Sequence, residues 1–168
     1  MFTIVMGVSG CGKTTIGKKI AEAFDVPFYE GDAFHLPENV DKMSRGVPLT
    51  DEDRRGWLEA LAELIRDKLD AGESGVLACS ALKEKYRQQL RVVPDRVRFV
   101  YLKGDYETIH DRMQGRSGHY MPPDLLKSQF DALEEPDDAF TISIDQPVDA
   151  ILSEVMGYLK SIGYAVHI

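Results

Sequence analysis

The sequence is poor in cysteine and has no long hydrophobic run. Cys11 and Cys79 are its only cysteines among 168 residues, and their spacing fits neither a zinc site nor a disulfide framework. Such sparse cysteine suits a reducing compartment, so we expect a cytoplasmic protein. No apolar stretch reaches the roughly 18 residues that cross a bilayer, and the N-terminus has no cationic, apolar leader. The sequence therefore predicts no membrane partner.

An excess of positive charge is also missing. The 20 Lys and Arg residues face 28 Asp and Glu residues, which gives a formal net charge of −8. Nucleic acids and anionic membrane surfaces are held by clustered Lys and Arg, so the charge balance argues against nucleic acid as a partner. A small anionic molecule in a locally basic pocket remains possible. Internal repeats are absent, and the composition predicts a single globular domain over residues 1–168.

One motif at the N-terminus is highly specific. Residues 7–14 read GVSGCGKT, which follows the pattern G-x-x-x-x-G-K-[ST] between an apolar run at 2–6 and a helical pattern at 15–24. Strand, glycine-rich turn and helix is the context that this motif requires. The backbone N–H groups of such a turn, together with the positive end of the helix, cradle a polyphosphate. The motif therefore predicts a bound nucleoside triphosphate.

The chemistry of the motif gives its residues predicted roles. Lys13 reaches the β- and γ-phosphates as a catalytic group, and the Thr14 hydroxyl is a ligand for Mg²⁺. The side chain of Cys11 is expected to point away from the phosphates, so no catalytic thiol is predicted. The residues predicted to bind the nucleotide here are Gly7, Ser9, Gly10, Cys11, Gly12, Lys13, Thr14 and Thr15.

The rest of the chain alternates between apolar runs and helical patterns. Predicted strands lie at 2–6, 26–30, 75–79, 97–102 and 141–145, and predicted helices at about 15–24, 50–72, 83–90, 105–114, 123–133 and 147–162, with a further helix start at 36–39. Such alternation gives parallel βαβ units with right-handed crossovers. We predict an α/β fold of three α/β/α layers on a five-stranded parallel sheet, with the nucleotide at the carboxyl edge of the strands.

Two further features distinguish among nucleotide-binding classes. The sequence has no Asn-Lys-x-Asp segment of the kind that reads guanine in GTPases. Arg112 and Arg116 are four residues apart and are followed by Gly118 and His119, as in a small helical lid at about 112–124. Transfer to a small acceptor needs such a lid, because water would otherwise hydrolyse the nucleotide. These features favour a kinase.

Short motifs along most of the chain resemble those of the P-loop gluconokinases. They follow one another in unbroken order from residue 4 to about residue 150. They lie at 7–14, 31–35, 42–43, 48–54, 57–58, 79–83, 86–87, 101–105, 118–121, 129–130 and 144–147. Cys11 stands where serine is common in that family, and Ser143 where an acidic residue is often found. Neither departure removes a group that the chemistry needs.

The resemblance implies an activity and its cofactors. It implies an adenylate-kinase-like P-loop kinase fold, ATP and Mg²⁺ as cofactors, and a homodimer. The implied reaction is ATP-dependent phosphorylation of D-gluconate at its 6-hydroxyl, giving 6-phospho-D-gluconate and ADP. A kinase for shikimate, a nucleoside monophosphate or another sugar acid is the nearest alternative, since fold and ATP site would be unchanged. A switch that binds ATP without turnover is the alternative from another class.

Polar residues at the other strand ends are the candidate acceptor groups. Asp32 is predicted to take the proton of the acceptor hydroxyl or to hold a Mg²⁺-bound water, and the sequence leaves these two roles open. His35 can hydrogen-bond a polyol hydroxyl, and the planar fork of Arg54 matches a carboxylate. The remaining predicted substrate contacts are Ser80, His119 and the pair Lys83 and Arg87, placed one turn apart on one helix face.

Four residues outside the motif are predicted to contact the nucleotide. Arg112 is expected near the adenine or the phosphates, and Arg116 is expected to neutralise charge on the transferred group as a third catalytic residue. Gln146 and Pro147 follow the last strand, where an adenine ring can be sandwiched. Structural roles compete with these: an ion pair with Asp105 or Glu107 for Arg112, an ion pair with Asp51 or Glu52 for Arg54, and a helix start for Pro147.

Overall fold

A parallel β-sheet forms the centre of the molecule. The computed structural model describes residues 1–114 and 123–163. Within these ranges five strands lie in the order β2-β3-β1-β4-β5. The strands are β1 (Phe2–Met6), β2 (Phe28–Glu30), β3 (Gly75–Ala78), β4 (Val97–Lys103) and β5 (Phe140–Ser143). The helices are α1 (Lys13–Phe24), α2 (Pro37–Ser44), α3 (Asp51–Asp70), α4 (Glu84–Leu90), α5 (Tyr106–Gln114), α6 (Pro123–Ala132) and α7 (Val148–Ser161).

Helices cover both faces of the sheet. Val5 and Val100 share one buried cluster with Ile20 of α1 and Val155 of α7. Their neighbours along the strands point the other way, as the period of two in a strand requires, and pack against Trp57, Leu61 and Ile65 of α3. The predicted three-layer α/β/α fold with a five-stranded parallel sheet is therefore confirmed.

The main differences from the predicted elements lie at their ends. Helix α1 begins at Lys13 rather than residue 15, because Gly12 adopts a left-handed conformation (φ 101°) and serves as the N-cap. Strand β2 begins at Phe28 because Val26 closes the preceding helix, donating its N–H to the carbonyl of Ala21 at 2.9 Å. Strand β5 ends at Ser143, because the chain turns there and the Asp145 N–H donates a hydrogen bond to the Ser143 hydroxyl at 3.1 Å.

The start of α3 is held by a capping box and a lysine. The Thr50 hydroxyl accepts from the Asp53 N–H, and the Asp53 carboxylate accepts from the Thr50 N–H at 2.9 Å. Lys42 of α2 donates to both oxygens of the same carboxylate, at 2.9 and 3.1 Å. The backbone bond to Thr50 and the bond from Lys42 lower the pKa of Asp53 to about 2. This corner fixes the helix turn that carries Arg54.

Asp53→Asn is expected to lower the melting temperature at pH 7 by a few degrees. The folded pKa of Asp53 is depressed below its ordinary value of 3.8, so the ionised carboxylate stabilises the fold above pH 3.8 and loses that effect as pH falls towards 2. The melting-temperature difference between wild type and variant should therefore be constant from pH 8 to 5 and shrink below pH 4. Calorimetric melts across this range test the prediction, with Glu52→Gln on the exposed side as control. A difference that grows in acid would contradict it.

Candidate active site

The turn between β1 and α1 is shaped by three glycines in the left-handed region. Gly7, Gly10 and Gly12 have φ of 147°, 83° and 101°. A Cβ on Gly7 would lie 2.9 Å from the Leu102 carbonyl oxygen and 2.7 Å from the Cys11 sulfur, so no side chain fits there. Cys11 packs in the core below the loop, and burial raises the pKa of its thiol. The concave backbone is the cradle that the motif predicts.

Lys13 and Thr14 stand at the start of α1. The Lys13 Nζ donates to the carbonyl oxygens of Gly7 and Val8, each at 3.0 Å, which keeps the ammonium at the loop. The Thr14 hydroxyl donates to a carboxylate oxygen of Glu30 at 2.5 Å. The sequence analysis missed Glu30, although its place at the end of β2, two residues before Asp32, could have revealed it.

Three strand ends meet beside this loop because β2, β3 and β1 are neighbours. The Gly7 N–H donates to the Ser80 carbonyl at 3.3 Å, which ties the loop to the chain after β3. Gly31 follows β2 and lies against β3, where an added Cβ would come within 2.5 Å of the Ala78 carbonyl oxygen. That close approach needs glycine, and it brings the following residue, Asp32, to the same edge.

Charged side chains near the buried thiol of Cys79 affect its pKa. Burial raises its pKa to about 12, and the charges of Asp32, Lys13 and Glu30 all act on it. The two carboxylates and the lysine therefore all lie on the side of the sheet edge where Cys79 follows β3. Oxygen donors such as Thr14, Glu30 and Asp32 are the ligand type that Mg²⁺ prefers, directly or through water. The residues present thus fit a metal bound with nucleotide phosphates.

His35 lies between Asp32 and α3. Its side chain is only 4% exposed, and its ring stacks on Trp57 with centroids 4.1 Å apart. Nε2 lies 3.8 Å from an Asp32 carboxylate oxygen, and buried Nδ1 has no hydrogen-bond partner among the described residues. Burial lowers the pKa of His35, only partly opposed by Asp32, so the ring is neutral at pH 7. A neutral ring with an unsatisfied nitrogen is suited to a hydroxyl.

A cleft of about 560 Å³ opens between the start of α3 and the end of α6. Arg54 and Lys83 both line it, so the structure brings together two residues that the sequence analysis assigned to substrate. Within the described ranges Arg54 hydrogen-bonds only through Nη1, to the Leu49 carbonyl at 2.8 Å and the Tyr86 hydroxyl at 3.2 Å. The charge of Arg54 also contributes to the lowered pKa of His35.

Asp51 also lines this cleft, although it was not among the residues predicted for the site. Its carboxylate accepts hydrogen bonds from Lys85, Tyr86 and Lys83, and these donors hold the pKa of Asp51 far below its usual range. The carboxylate is therefore ionised across the working pH range. It balances part of the positive charge at one end of the cleft.

The predicted pairing of Lys83 with Arg87 on one helix face is wrong. Lys83 is the N-cap of α4 and has an extended backbone, so it is not part of that helix face. Arg87 is 1% exposed, and its guanidinium donates to the carbonyls of Ala81 and Glu134, both at 2.7 Å. These contacts give Arg87 a structural role, because they tie α4 to the chain after α6. Its contact with substrate stays a prediction.

The other side of the loop is formed by α5 and the turn after β5. Arg112 donates to the Ile144 carbonyl at 2.7 Å, and its charge acts on the Cys11 thiol. The Gln146 side chain donates to the Ser143 carbonyl at 2.8 Å, and Pro147 is the N-cap of α7. Arg116, His119 and the rest of residues 115–122, the central part of the lid predicted at about 112–124, lie outside the described residues.

The chain is similar to known small-molecule kinases. Residues 9–136 match the family model of shikimate kinase. The chain is 53% identical to the thermosensitive gluconokinase of Escherichia coli strain K12 over 133 residues, covering 79% of this chain and 71% of the relative. It is 43% identical to the gluconokinase of Gluconobacter oxydans strain 621H, covering 95% of this chain and 92% of the relative.

A solved structure is similar over nearly the whole chain. The crystal structure of a gluconokinase from Sinorhizobium meliloti 1021 superposes with a TM-score of 0.87 at 44% identity, covering 95% of this chain and 91% of that one. Separately, the part of the chain that the structure describes contains no helix long and apolar enough to cross a membrane.

Proposed function

The chain belongs to the gluconokinase family, and we propose that it transfers the γ-phosphoryl group of ATP to the 6-hydroxyl of D-gluconate. The products are 6-phospho-D-gluconate and ADP. The observation that carries the proposal is the cleft in which the cationic side chains of Arg54 and Lys83 meet. In this proposal Asp32 and His35, 3.8 Å apart, stand between the cleft and the phosphate loop. A sugar acid has an anionic end for the cleft and a distal hydroxyl for the loop.

The phosphate loop grips the triphosphate. Backbone N–H groups of the loop that are not used within the protein, as those of Gly7 and Ser9 are, bind phosphate oxygens together with the positive end of α1. Lys13 neutralises charge on the β- and γ-oxygens. The Thr14 hydroxyl and the carboxylates of Glu30 and Asp32 would hold Mg²⁺, directly or through water, and the ion would supply further neutralisation of the phosphate charge. The Thr14–Glu30 hydrogen bond of 2.5 Å supports this, since it already aims the hydroxyl at that edge.

The acceptor is oriented from two ends. The guanidinium of Arg54 and the ammonium of Lys83 bind the gluconate carboxylate, while Nε2 of His35, the ring nitrogen that faces Asp32, hydrogen-bonds a hydroxyl. Asp32, 76% exposed in its side chain, accepts the proton of the 6-hydroxyl or holds a metal-bound water. Ser80, Arg87 and His119 remain predicted contacts. Because the transition state is loose, holding the hydroxyl in line matters more than early proton removal.

The nucleotide base lies on the opposite side of the loop in this proposal. Arg112, Gln146 and Pro147 form its wall, and Arg116 neutralises charge on the transferred group after the lid segment closes. The bond from Arg112 to the Ile144 carbonyl supports this, since it fixes α5 against the turn that carries Gln146.

Arg54→Lys is expected to raise the KM for gluconate about tenfold while leaving the KM for ATP unchanged. Lysine keeps the charge but loses the planar fork that binds a carboxylate with two parallel hydrogen bonds. Steady-state kinetics with each substrate varied in turn measure the effect. Arg55→Lys is the matched control, because the neighbouring arginine is exposed and pairs only with Glu52 and Glu59 among the described residues. Equal effects of both substitutions would contradict the role of Arg54.

Coupled ADP release with a panel of acceptors tests the function itself. Gluconate should stimulate ADP release well above background hydrolysis, and shikimate, AMP and other sugar acids should not. The match to the shikimate kinase family model makes shikimate the most informative rival. Tight ATP binding with no stimulation by any acceptor would instead indicate a nucleotide-dependent switch. Phosphorus NMR of the product identifies the hydroxyl that is phosphorylated.

We also propose a homodimer in the cytoplasm, as expected from the sequence. Light scattering on the purified protein measures the oligomeric state, and fractionation of cells measures the location. A monomer at micromolar concentration would remove the first expectation without affecting the activity.

A further inference from the structure

A glutamine outside the phosphate loop holds the loop in place. Gln129 of α6 accepts a hydrogen bond from the Ser9 backbone N–H at 2.7 Å and donates one from Nε2 to the Ser9 hydroxyl at 3.0 Å. A primary amide offers an acceptor and a donor side by side. Since a backbone N–H can only donate, the amide has one orientation that satisfies both bonds. The pair therefore fixes the side chain of Gln129 as well as the position of Ser9.

The helix that carries Gln129 also lines the acceptor cleft. Ser128 and Asp131 of α6 are part of that cleft, on either side of Gln129 in the sequence. Next to it, the Phe130 ring packs edge-on against Tyr106 of α5, with centroids 5.7 Å apart. One short helix thus contacts the phosphate loop through one residue and the acceptor cleft through its neighbours.

We propose that Gln129 is a positioning residue for phosphoryl transfer. It holds Ser9 in the loop conformation that receives the triphosphate, and it fixes the loop relative to the helix beside the acceptor. Without the two bonds the Ser9 amide loses its partner, and the loop samples conformations in which its N–H groups no longer converge. The expected effect on kcat rests on the proposed function. The expected effect on nucleotide binding does not depend on the identity of the acceptor.

Gln129→Met tests the proposal, because methionine keeps the length of the side chain and removes both hydrogen bonds. Two hydrogen bonds of ordinary strength correspond to a factor of about tenfold to a hundredfold. We expect this factor to be the product of the decrease in ADP affinity and the decrease in kcat. Calorimetric titration with ADP, with no acceptor present, measures the first part. Coupled ADP release with gluconate measures the second. Gln89→Met is the control, since Gln89 is an exposed glutamine of α4.

Ser9→Ala provides a second test that leaves α6 unchanged. It removes only the hydroxyl bond, so a smaller loss of about twofold to fivefold is expected. In the double variant with Gln129→Met, the decrease in ADP affinity should be smaller than the product of the decreases in the two single variants, because both substitutions remove a shared contact. A purely structural role of Gln129 would instead lower the melting temperature and leave ADP affinity unchanged.

Two results separate this inference from the proposed function. If Gln129→Met weakens ADP binding and gluconate is not phosphorylated by wild type, the positioning role stands and the substrate assignment fails. If gluconate is phosphorylated by wild type, but ADP affinity and kcat of the folded variant stay within twofold of wild type, the positioning role is overturned. Should Gln129→Met fail to fold, Gln129→Ala, which also removes both hydrogen bonds, takes its place, and unchanged ADP affinity and kcat overturn the positioning role equally.

Discussion

Lys13→Met is expected to lower kcat by about a thousandfold and to weaken nucleotide binding. The Lys13 ammonium is held at the phosphate loop by the carbonyls of Gly7 and Val8, at 3.0 Å each. From there it can move to phosphate oxygens without a change in the fold. Charge accumulates on those oxygens in the transition state, and removing one well-placed donor typically costs a factor of about 10² to 10³. Because Lys13→Met removes a full positive charge, we expect the decrease in kcat to lie at the upper end of this range.

The measurement needs both kinetics and binding. Coupled ADP release at saturating gluconate gives kcat, and calorimetry with ADP gives the affinity of the loop. Lys19→Met is the matched control. Lys19 is an exposed lysine of the same helix, so its substitution removes the same chemical group outside the loop. If Lys13→Met retained more than a tenth of wild-type kcat, the loop would not be the site of transfer. An unchanged melting temperature would show that the loss is not one of folding.

Much of the fold could be predicted because it depends on local patterns. The strand, turn and helix around residues 7–14 are dictated by an apolar run, by glycines with positive φ and by a helical period, all within a few residues. The parallel order follows from the alternation of strands and helices. Helix α2 was predicted only as a start at 36–39, because a segment of eight residues with few apolar positions gives little periodic signal.

The candidate site was predicted less completely because its contacts are not local. The partner of Gln129 lies 120 residues away, and no spacing rule connects them. Asp51 appeared in the sequence as one of three acidic residues in a first helical turn, where acids are favoured for the helix dipole alone. Its bonds to Lys83, Lys85 and Tyr86 depend on how α4 packs against α3.

The error at Lys83 and Arg87 shows how a one-residue difference in a helix end changes an interpretation. Spacing by four places two side chains on one face only when both lie in the helix. Because α4 begins at Glu84, Lys83 stays in the cleft, whereas Arg87 falls on the buried side with Tyr86 and Leu90. Helix ends are the least predictable part of a sequence pattern, so functional pairs that span one are the least secure.

Asp32→Asn is expected to lower kcat by about 10² to 10⁴ while ADP affinity changes little. Asparagine keeps the size of the side chain and its ability to accept one hydrogen bond, but it cannot take a proton and binds Mg²⁺ weakly. The Asp32 side chain is largely exposed, and an amide of the same size can keep the 3.8 Å approach to His35, so the substitution should not disturb packing. Asp25→Asn is the control, because Asp25 has φ of 54°, which asparagine tolerates.

The dependence on Mg²⁺ then separates the two roles left open for Asp32. If the carboxylate accepts the proton of the gluconate hydroxyl, the loss in kcat persists at saturating Mg²⁺, and the Mg²⁺ concentration for half-maximal rate is unchanged. If it holds a metal-bound water, that concentration rises and excess Mg²⁺ restores part of the rate. Glu30→Gln provides the comparison, since Glu30 contacts Thr14 directly and should affect mainly the metal requirement. An Asp32→Asn enzyme with wild-type kcat at every Mg²⁺ concentration would remove Asp32 from the chemistry, because neither role survives the loss of its charge.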